Sequence, residues 1–273
     1  MSIVLAALDT SATARAVLET AVRISQLAGA DVEAIHVRTG PLEADRTPES
    51  LAALAGRSEV PLKLIEGPVE PSLIAAMTTP EVVVAVIGAR ATPSGRRLIG
   101  RTARTLLEQA DKPVVVVPSE ATGLGAIRRL LVPLEGTDVS SRPVLDRLMP
   151  LLSADIELVV LHVFNDTTLP AMLDRPYRDL DLLGREFLTR HCPRAELIEL
   201  RTGPIATRVA EVSEEHRSDL IVLSWSQNLS PERAHVVRSV LGDSLLPVLL
   251  LPIAPSDTNE ADVVSSAQGE SPG

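Results

Sequence analysis

Two glycines, Gly88 and Gly100, border a loop whose composition suits the binding of an anion. The apolar run Val82–Ile87 leads into the first glycine, and a helical pattern begins near the second. Glycine lets a backbone approach a phosphate closely, and the free N–H groups at a helix start carry partial positive charge. Formal positive charge is added by five arginines in the same stretch: Arg90, Arg96, Arg97, Arg101 and Arg104. This combination is typical of a phosphate or other anion clamp.

A second interpretation of these arginines is a solvated helix face. At about 100° per residue, Arg97, Arg101 and Arg104 fall on one side of a helix. The opposite side is apolar and consists of Ile99, Ala103, Leu106 and Ala110. Arg104 also precedes Glu108 by four residues, a spacing that favours an ordinary helical ion pair. We therefore expect those three arginines to be solvated, whereas Arg90 and Arg96 remain open to a role in binding.

The polar residues Asp9, Thr10 and Ser11 follow the apolar run Ile3–Leu8 and could supply a carboxylate and a hydroxyl for catalysis. The favoured alternative is structural, with Ser11 as the N-cap of a helix from about Ala12 to Leu27 and Asp9 ending a strand beside a cleft. The chain contains no G-x-S-x-G, Walker or dinucleotide fingerprint. The sequence gives no reason to predict an enzyme.

The elements around these residues occur twice in the chain. The dipeptide His-Val ends an apolar run at His36 and again at His162, 126 residues later. Gly67-Pro68 and Gly203-Pro204 lie 136 residues apart, and Pro113 and Pro247 lie 134 apart. The near-constant offset indicates two copies of one βα module, with an insertion of about ten residues in the second.

Each copy alternates short apolar runs with amphipathic helical patterns, which predicts an α/β fold with a parallel, doubly wound sheet. The ten predicted strands are Ile3–Leu8, Val32–Val37, Leu62–Ile65, Val82–Ile87, Val114–Val117, Leu130–Leu134, Ile156–Phe164, Leu197–Leu200, Leu220–Leu223 and Val248–Leu251. The predicted organisation is domain 1 at residues 1–119, a linker at 120–127, domain 2 at 128–253 and a disordered acidic tail at 254–273. In such a sheet the cleft opens where the winding reverses, between the first and fourth strands.

Together these landmarks resemble the universal stress protein family over residues 1–253, as two tandem five-stranded domains of the universal-stress or adenine nucleotide alpha hydrolase-like fold. Members of that family divide into forms that bind ATP and forms that do not. The resemblance implies that a nucleotide in domain 1 would lie against Asp9, the Val37 backbone, Gly88 and Gly100. It also implies pairing through the last strands, which in a tandem chain makes an internal pseudo-dimer.

This chain departs from the family's ATP-binding pattern of Gly, two residues, Gly, nine residues, Gly and Ser or Thr. Domain 1 has Ala91 at the second glycine, a loop one residue shorter, and Arg101 at the hydroxyl position. Domain 2 has lost all four positions, where Ser224, Gln227, Ala234 and His235 stand instead. Domain 2 also has Glu135 in place of the aspartate that ends the first strand. Its Ser230-Pro231-Glu232 predicts a helix that is capped by its own serine and carries a negative charge in its first turn. The ATP-binding motif is degenerate in domain 1, and no nucleotide site is expected in domain 2.

The five histidines do not predict a metal site. His36 and His162 occupy equivalent strand ends in separate domains and are expected to be structural. His191-Cys192 has no second ligand pair nearby, and His216 lies in a charged helix end. His235 alone lies near a predicted cleft, and Trp225 is expected at the mouth of the second cleft, where its fluorescence would respond to ligand.

Composition limits the partners. The net charge of −10 argues against nucleic-acid binding, no apolar run approaches the length of a membrane span, and a single cysteine suits the cytoplasm. All four aromatic residues lie in the second copy: Phe164, Tyr177, Phe187 and Trp225. The leading hypothesis is a non-enzymatic stress-response protein that acts by association with a protein partner or with itself, without a required cofactor. The alternatives are an ATP-binding switch with nucleotide in domain 1, and a regulatory module for a transporter or kinase.

Overall fold

The computed structural model describes residues 1–39, 49–89, 99–119, 121, 125–134, 138–152, 155–164, 180–195, 197–230 and 234–253. The first half of the chain contains β1 (Ile3–Ala7), α1 (Ala14–Ala28), β2 (Asp31–Arg38), α2 (Glu49–Arg57), β3 (Leu62–Glu66), α3 (Val69–Met77), β4 (Val82–Gly88), α4 (Arg101–Gln109) and β5 (Val114–Val117). The second half contains β6 (Arg129–Pro133), α5 (Asp138–Leu148), a 3-10 turn (Met149–Leu151), β7 (Glu157–Phe164), α6 (Leu180–His191), β8 (Leu197–Thr202), α7 (Ile205–Glu215), β9 (Leu220–Trp225), α8 (His235–Asp243) and β10 (Val248–Pro252). All ten predicted strands are confirmed, with ends that differ by at most two residues.

The strands form one continuous ten-stranded sheet in the order β3-β2-β1-β4-β5-β10-β9-β6-β7-β8. Within each half the strands are parallel and follow the order 3-2-1-4-5, so the winding reverses between the first and fourth strands as expected. The halves join where β5 and β10 pair antiparallel, with Val115 opposite Leu249. The internal pseudo-dimer is therefore confirmed, and the two predicted sheets are one.

Each face of this sheet carries a hydrophobic cluster that runs across the seam between β5 and β10. Val114, Val116 and Leu250 point to the face covered by α3, α4, α7 and α8. Val115, Val117 and Leu249 point to the face covered by α1 and α5. Because strand residues alternate between faces, one short apolar strand contributes to both clusters. The two halves consequently share their cores as well as their sheet.

Three helix starts determine where the candidate site residues lie. α1 begins at Ala14 with Thr13 as its N-cap, so the prediction of Ser11 as N-cap is wrong. The sequence predicts a helix from about Pro71 to Met77, but α3 begins two residues earlier, at Val69, because Gly67 turns the chain at φ 148° and Pro68 serves as the N-cap. α8 begins at His235 after Ala234, so Ser230 is not its N-cap. The end of α1 is as predicted, since Gly29 adopts the left-handed conformation at φ 59°.

No helix in the described part of the chain combines the length and apolar character needed to cross a membrane.

Candidate functional site

A cavity of about 430 Å³ opens at the carboxyl ends of β1 and β4, where the winding of the first half reverses. Asp9, Val37, Gly88 and Gly100 all line it, so the structure brings together the four residues singled out from the sequence. The other lining residues are Ala7, Leu8, Val17, His36, Val69, Glu70, Leu73, Ile87, Arg101, Thr102 and Leu106. Its walls are mostly apolar, with a few polar groups that converge on one space, as in many ligand pockets.

The carboxylate of Asp9 is held by the turn that leads from β1 into α1. Its Oδ1 accepts hydrogen bonds from the Ser11 backbone N–H at 3.0 Å and from the Ser11 hydroxyl at 2.5 Å. The Ser11 hydroxyl in turn accepts a bond from the Thr13 N–H at 3.3 Å. Ser11 therefore orients Asp9 and closes the turn that precedes α1. This is the role of Ser11 in the structure, in place of the predicted role as N-cap.

The end of β2 is joined to the end of β1 by a histidine. His36 Nδ1 lies 2.8 Å from the Leu8 carbonyl, and in the second half His162 Nδ1 lies 2.9 Å from the Leu134 carbonyl. A backbone carbonyl only accepts, so Nδ1 carries the proton in both rings. Burial lowers the pKa of His162 below its ordinary value, which keeps that ring neutral. The predicted structural role of both histidines is confirmed.

Gly88 lies at the end of β4 and allows that strand to approach α1. A Cβ at this position would lie 3.2 Å from Thr13 Cγ2 and 3.4 Å from Val17 Cγ2. A side chain at Gly88 would thus crowd α1, independently of any ligand. Substitutions at Gly88 are therefore expected to change the packing of α1 as well as the cavity.

The N-terminus of α4 points into the cavity without a side-chain cap. Gly100 is its N-cap at φ −60° and ψ 159°, an ordinary extended conformation, and it makes no side-chain cap hydrogen bond. The Arg101 side chain is 89% exposed, and Arg104 pairs with Glu108 at 3.0 Å. The predicted solvation of Arg101 and Arg104 is confirmed. Arg90, Ala91, Arg96 and Arg97 lie outside the described residues.

Glu70, which the sequence analysis did not single out, lies in the first turn of α3 and reaches the first turn of α4. Its Oε1 accepts a hydrogen bond from the Thr102 hydroxyl at 3.1 Å and lies 3.5 Å from an Arg101 guanidinium nitrogen. Its own backbone N–H and the Thr102 hydroxyl hold the pKa of this carboxyl below its usual range. Glu70 is thus an ionised carboxylate in the wall of the cavity. The early start of α3 at the Gly67-Pro68 turn is the signal that would have placed it there.

Comparison with known proteins supports this architecture. The sequence model of the universal stress protein family matches residues 126–252. The second half of the chain is a universal stress protein domain. A functionally unknown protein from Pseudomonas aeruginosa PAO1 has the same fold, with 14% identity, a TM-score of 0.68 and coverage of 92% of each chain. A universal stress protein from Archaeoglobus fulgidus has 15% identity and a TM-score of 0.65, covering 92% of this chain and 98% of that one. No curated protein matches the chain significantly.

In this universal stress domain, two residues that closely follow Ser224, the position equivalent to Gly88, contact the first half. Trp225 is 3% exposed and donates its indole N–H to the Leu107 carbonyl of α4 at 3.4 Å. Gln227 adopts φ 59° and donates its amide to the Ala110 carbonyl. The expectation that Trp225 lies open at the mouth of a second cleft is therefore wrong. The indole of Trp225 contacts α4, so its fluorescence should respond to a change in that helix.

The remaining positions of the universal stress domain follow from this packing. Ala234 is buried as the N-cap of α8, and His235 is exposed as the first residue of that helix. Ser224 is the penultimate residue of β9 and lies opposite Leu251. Glu135, Pro231 and Glu232 lie outside the described residues.

Neither half of the chain holds a metal-binding cluster in the residues that the structure describes. Cys192 is buried, and that burial raises the pKa of its thiol. His216 pairs with Glu199 at 2.8 Å, so it is less solvated than the sequence suggested.

Proposed function

We propose that the chain is a non-enzymatic regulatory protein of the universal stress type, in which the first half binds an adenine nucleoside or nucleotide and the second half serves as scaffold. The observation that carries the proposal is the convergence of Asp9, Val37, Gly88 and Gly100 on one cavity. The protein would act by association with a protein partner or with itself, in the cytoplasm.

Size and position both support a small-molecule ligand. A volume of about 430 Å³ falls within the usual range for ligand pockets. The carboxyl ends of strands at a reversal of winding are where open α/β sheets bind ligands. The ordered Asp9 carboxylate offers an acceptor for a hydroxyl or amino group, and the uncapped start of α4 offers N–H donors.

The polar groups of the cavity favour binding over catalysis. The Ser11 hydroxyl donates to Asp9 within the turn, and the Thr102 hydroxyl donates to Glu70 between two helix starts, so both hydroxyls hold a carboxylate in place. His36 is held by a backbone carbonyl, and no hydroxyl or thiol of the described lining residues is hydrogen-bonded to its ring. We therefore infer recognition without turnover.

α4 provides the connection between ligand and association. The helix begins at the cavity, and its last turns accept hydrogen bonds from Trp225 and Gln227 of the second half. A ligand that shifts the start of α4 would change the contacts at its end, because a short helix moves as a rigid unit. Binding of a ligand in the cavity of the first half would then change the contacts between the two halves.

Isothermal titration calorimetry of the whole chain with adenosine, AMP and ATP tests the proposal. We expect one site per chain, with a dissociation constant below about 100 μM, or about −5.5 kcal/mol, for at least one of the three. Gly100→Val should abolish binding, since the extended backbone at Gly100 accepts a β-branched residue and the added side chain would occupy the cavity. Trp225 fluorescence should change on titration and give a second readout.

The matched control is Gly125→Val, because a Cβ at Gly125 would meet nothing within 4 Å and the residue does not line the cavity. Its affinity should equal that of the unaltered chain. Absence of heat and of a thermal shift with all three ligands, in a chain that circular dichroism shows to be folded, would refute ligand binding.

A further inference from the structure

The first turns of two helices meet at one carboxylate in the cavity wall. Glu70 lies in the first turn of α3, and its Oε1 accepts a bond from Thr102 in the first turn of α4. Helix starts carry partial positive charge and favour an anion, so both helices stabilise the ionised Glu70. The carboxylate of Glu70 thus lies beside the start of α4, where a phosphate could bind.

The second half supplies an internal comparison for this arrangement. The residues 136 and 134 positions further on from Glu70 and Thr102 are Ala206 and Val236, which are half-buried and pack against the hydrophobic cluster. The equivalent helix pair, α7 and α8, is therefore joined by apolar contact. The fold does not need a carboxylate to hold the third and fourth helices together. A carboxylate at this position is therefore specific to the first half.

Among the residues that the structure describes, the charges next to Glu70 do not cancel this carboxylate. Arg101 touches Glu70 only at 3.5 Å, and its side chain is 89% exposed, so solvent screens most of the attraction. Asp9 adds a second carboxylate to the same lining. Among the described lining residues, Arg101 alone carries a permanent positive charge.

We propose that Glu70 sets the ligand class of the cavity, which accepts nucleosides and disfavours nucleotides that carry phosphate at the start of α4. This inference rests on the proposed function. A carboxylate is a good acceptor for sugar hydroxyls, as in the acidic residue that binds ribose in dinucleotide folds. A phosphate ester carries about −1.5 to −2 charge at neutral pH and is repelled by a carboxylate at close range.

Glu70→Gln tests the inference, because it removes the charge and retains an oxygen that can accept from Thr102. By calorimetry at low salt, the affinity for ATP should rise at least about tenfold, whereas the affinity for adenosine should change less than about twofold. The matched control is Glu108→Gln, which removes a carboxylate from α4 outside the cavity and should alter neither affinity. Should Glu70→Gln prove unstable in a thermal melt, Glu70→Ala replaces it, since alanine stands at the equivalent position of the second half.

The outcomes separate the two proposals. A gain for ATP alone in the Glu70 variant supports the inference. Equal binding of ATP and adenosine, unchanged by the variant, overturns the inference and leaves ligand binding intact. A gain in Glu108→Gln as large as that in Glu70→Gln would attribute the effect to net charge and would also overturn it. Failure of every ligand to bind any variant would overturn both proposals.

Discussion

Replacement of Trp225 by alanine should lower the free energy of unfolding by about 3–5 kcal/mol, since a large buried side chain is lost and leaves a cavity. Trp225 is 3% exposed and packs where β9 meets α4 of the other half. Burying up to about 250 Å² at about 25 cal/mol/Å² gives an upper bound of about 6 kcal/mol. The hydrogen bond to Leu107 is long at 3.4 Å, so packing makes most of the contribution.

Urea denaturation followed by far-ultraviolet circular dichroism measures this loss, because the variant has no tryptophan for fluorescence. Trp225→Phe keeps a large apolar ring and should lose less than the alanine variant. The control is Ser226→Ala, at the exposed neighbouring residue, which should change stability by less than about 0.5 kcal/mol. A loss below about 1 kcal/mol in Trp225→Ala would refute the reasoning, since it is far below the usual cost of deleting a buried ring.

Stability should also depend on pH and on two glycines. Burial lowers the pKa of His162, so the unfolded chain takes up a proton at a higher pH than the folded protein does. As pH falls through about 6.5, the free energy of unfolding should therefore decline by up to about 1.4 kcal/mol per pH unit. The urea midpoint should depend less steeply on pH in His162→Asn, and an unchanged dependence would exclude His162 as its source. Gly29→Ala should destabilise the protein by about 1 kcal/mol, because φ at Gly29 is 59°. Gly56→Ala should stabilise it by up to about 1 kcal/mol, because Gly56 lies inside α2 with free space around it. Thermal melts in which both variants change the melting temperature in the same direction would contradict this.

Much of the fold could be predicted because the chain repeats its own pattern. Apolar runs of strand length, the two His-Val pairs and the alternation with helices determine both five-stranded units. The reversal between the first and fourth strands follows from that topology, and it locates Asp9 and Gly88 at one cleft. These features depend on local periodicity and on general rules of winding.

The contacts that sequence reasoning missed depend on where two elements meet. The sequence does not identify Glu70, because its pattern predicts a helix start at about Pro71, while Gly67 and Pro68 turn the chain into a helix at Val69. The sequence places Trp225 at a second cleft, because neither copy alone encodes the surface that the other copy covers. Helix ends and junctions between repeats are therefore the features that required coordinates.

The antiparallel pairing of β5 with β10 has a consequence for stoichiometry. The fifth strands of the two halves, β5 and β10, form their backbone hydrogen bonds with each other within a single polypeptide. Their effective concentration is fixed by the connecting chain and does not change on dilution. The half that contains Asp9 and Gly88 is thereby always joined to the second half, at nanomolar and millimolar protein concentrations alike. Because both fifth strands are already paired, larger assemblies have to recruit other surfaces, such as the outer strands β3 and β8.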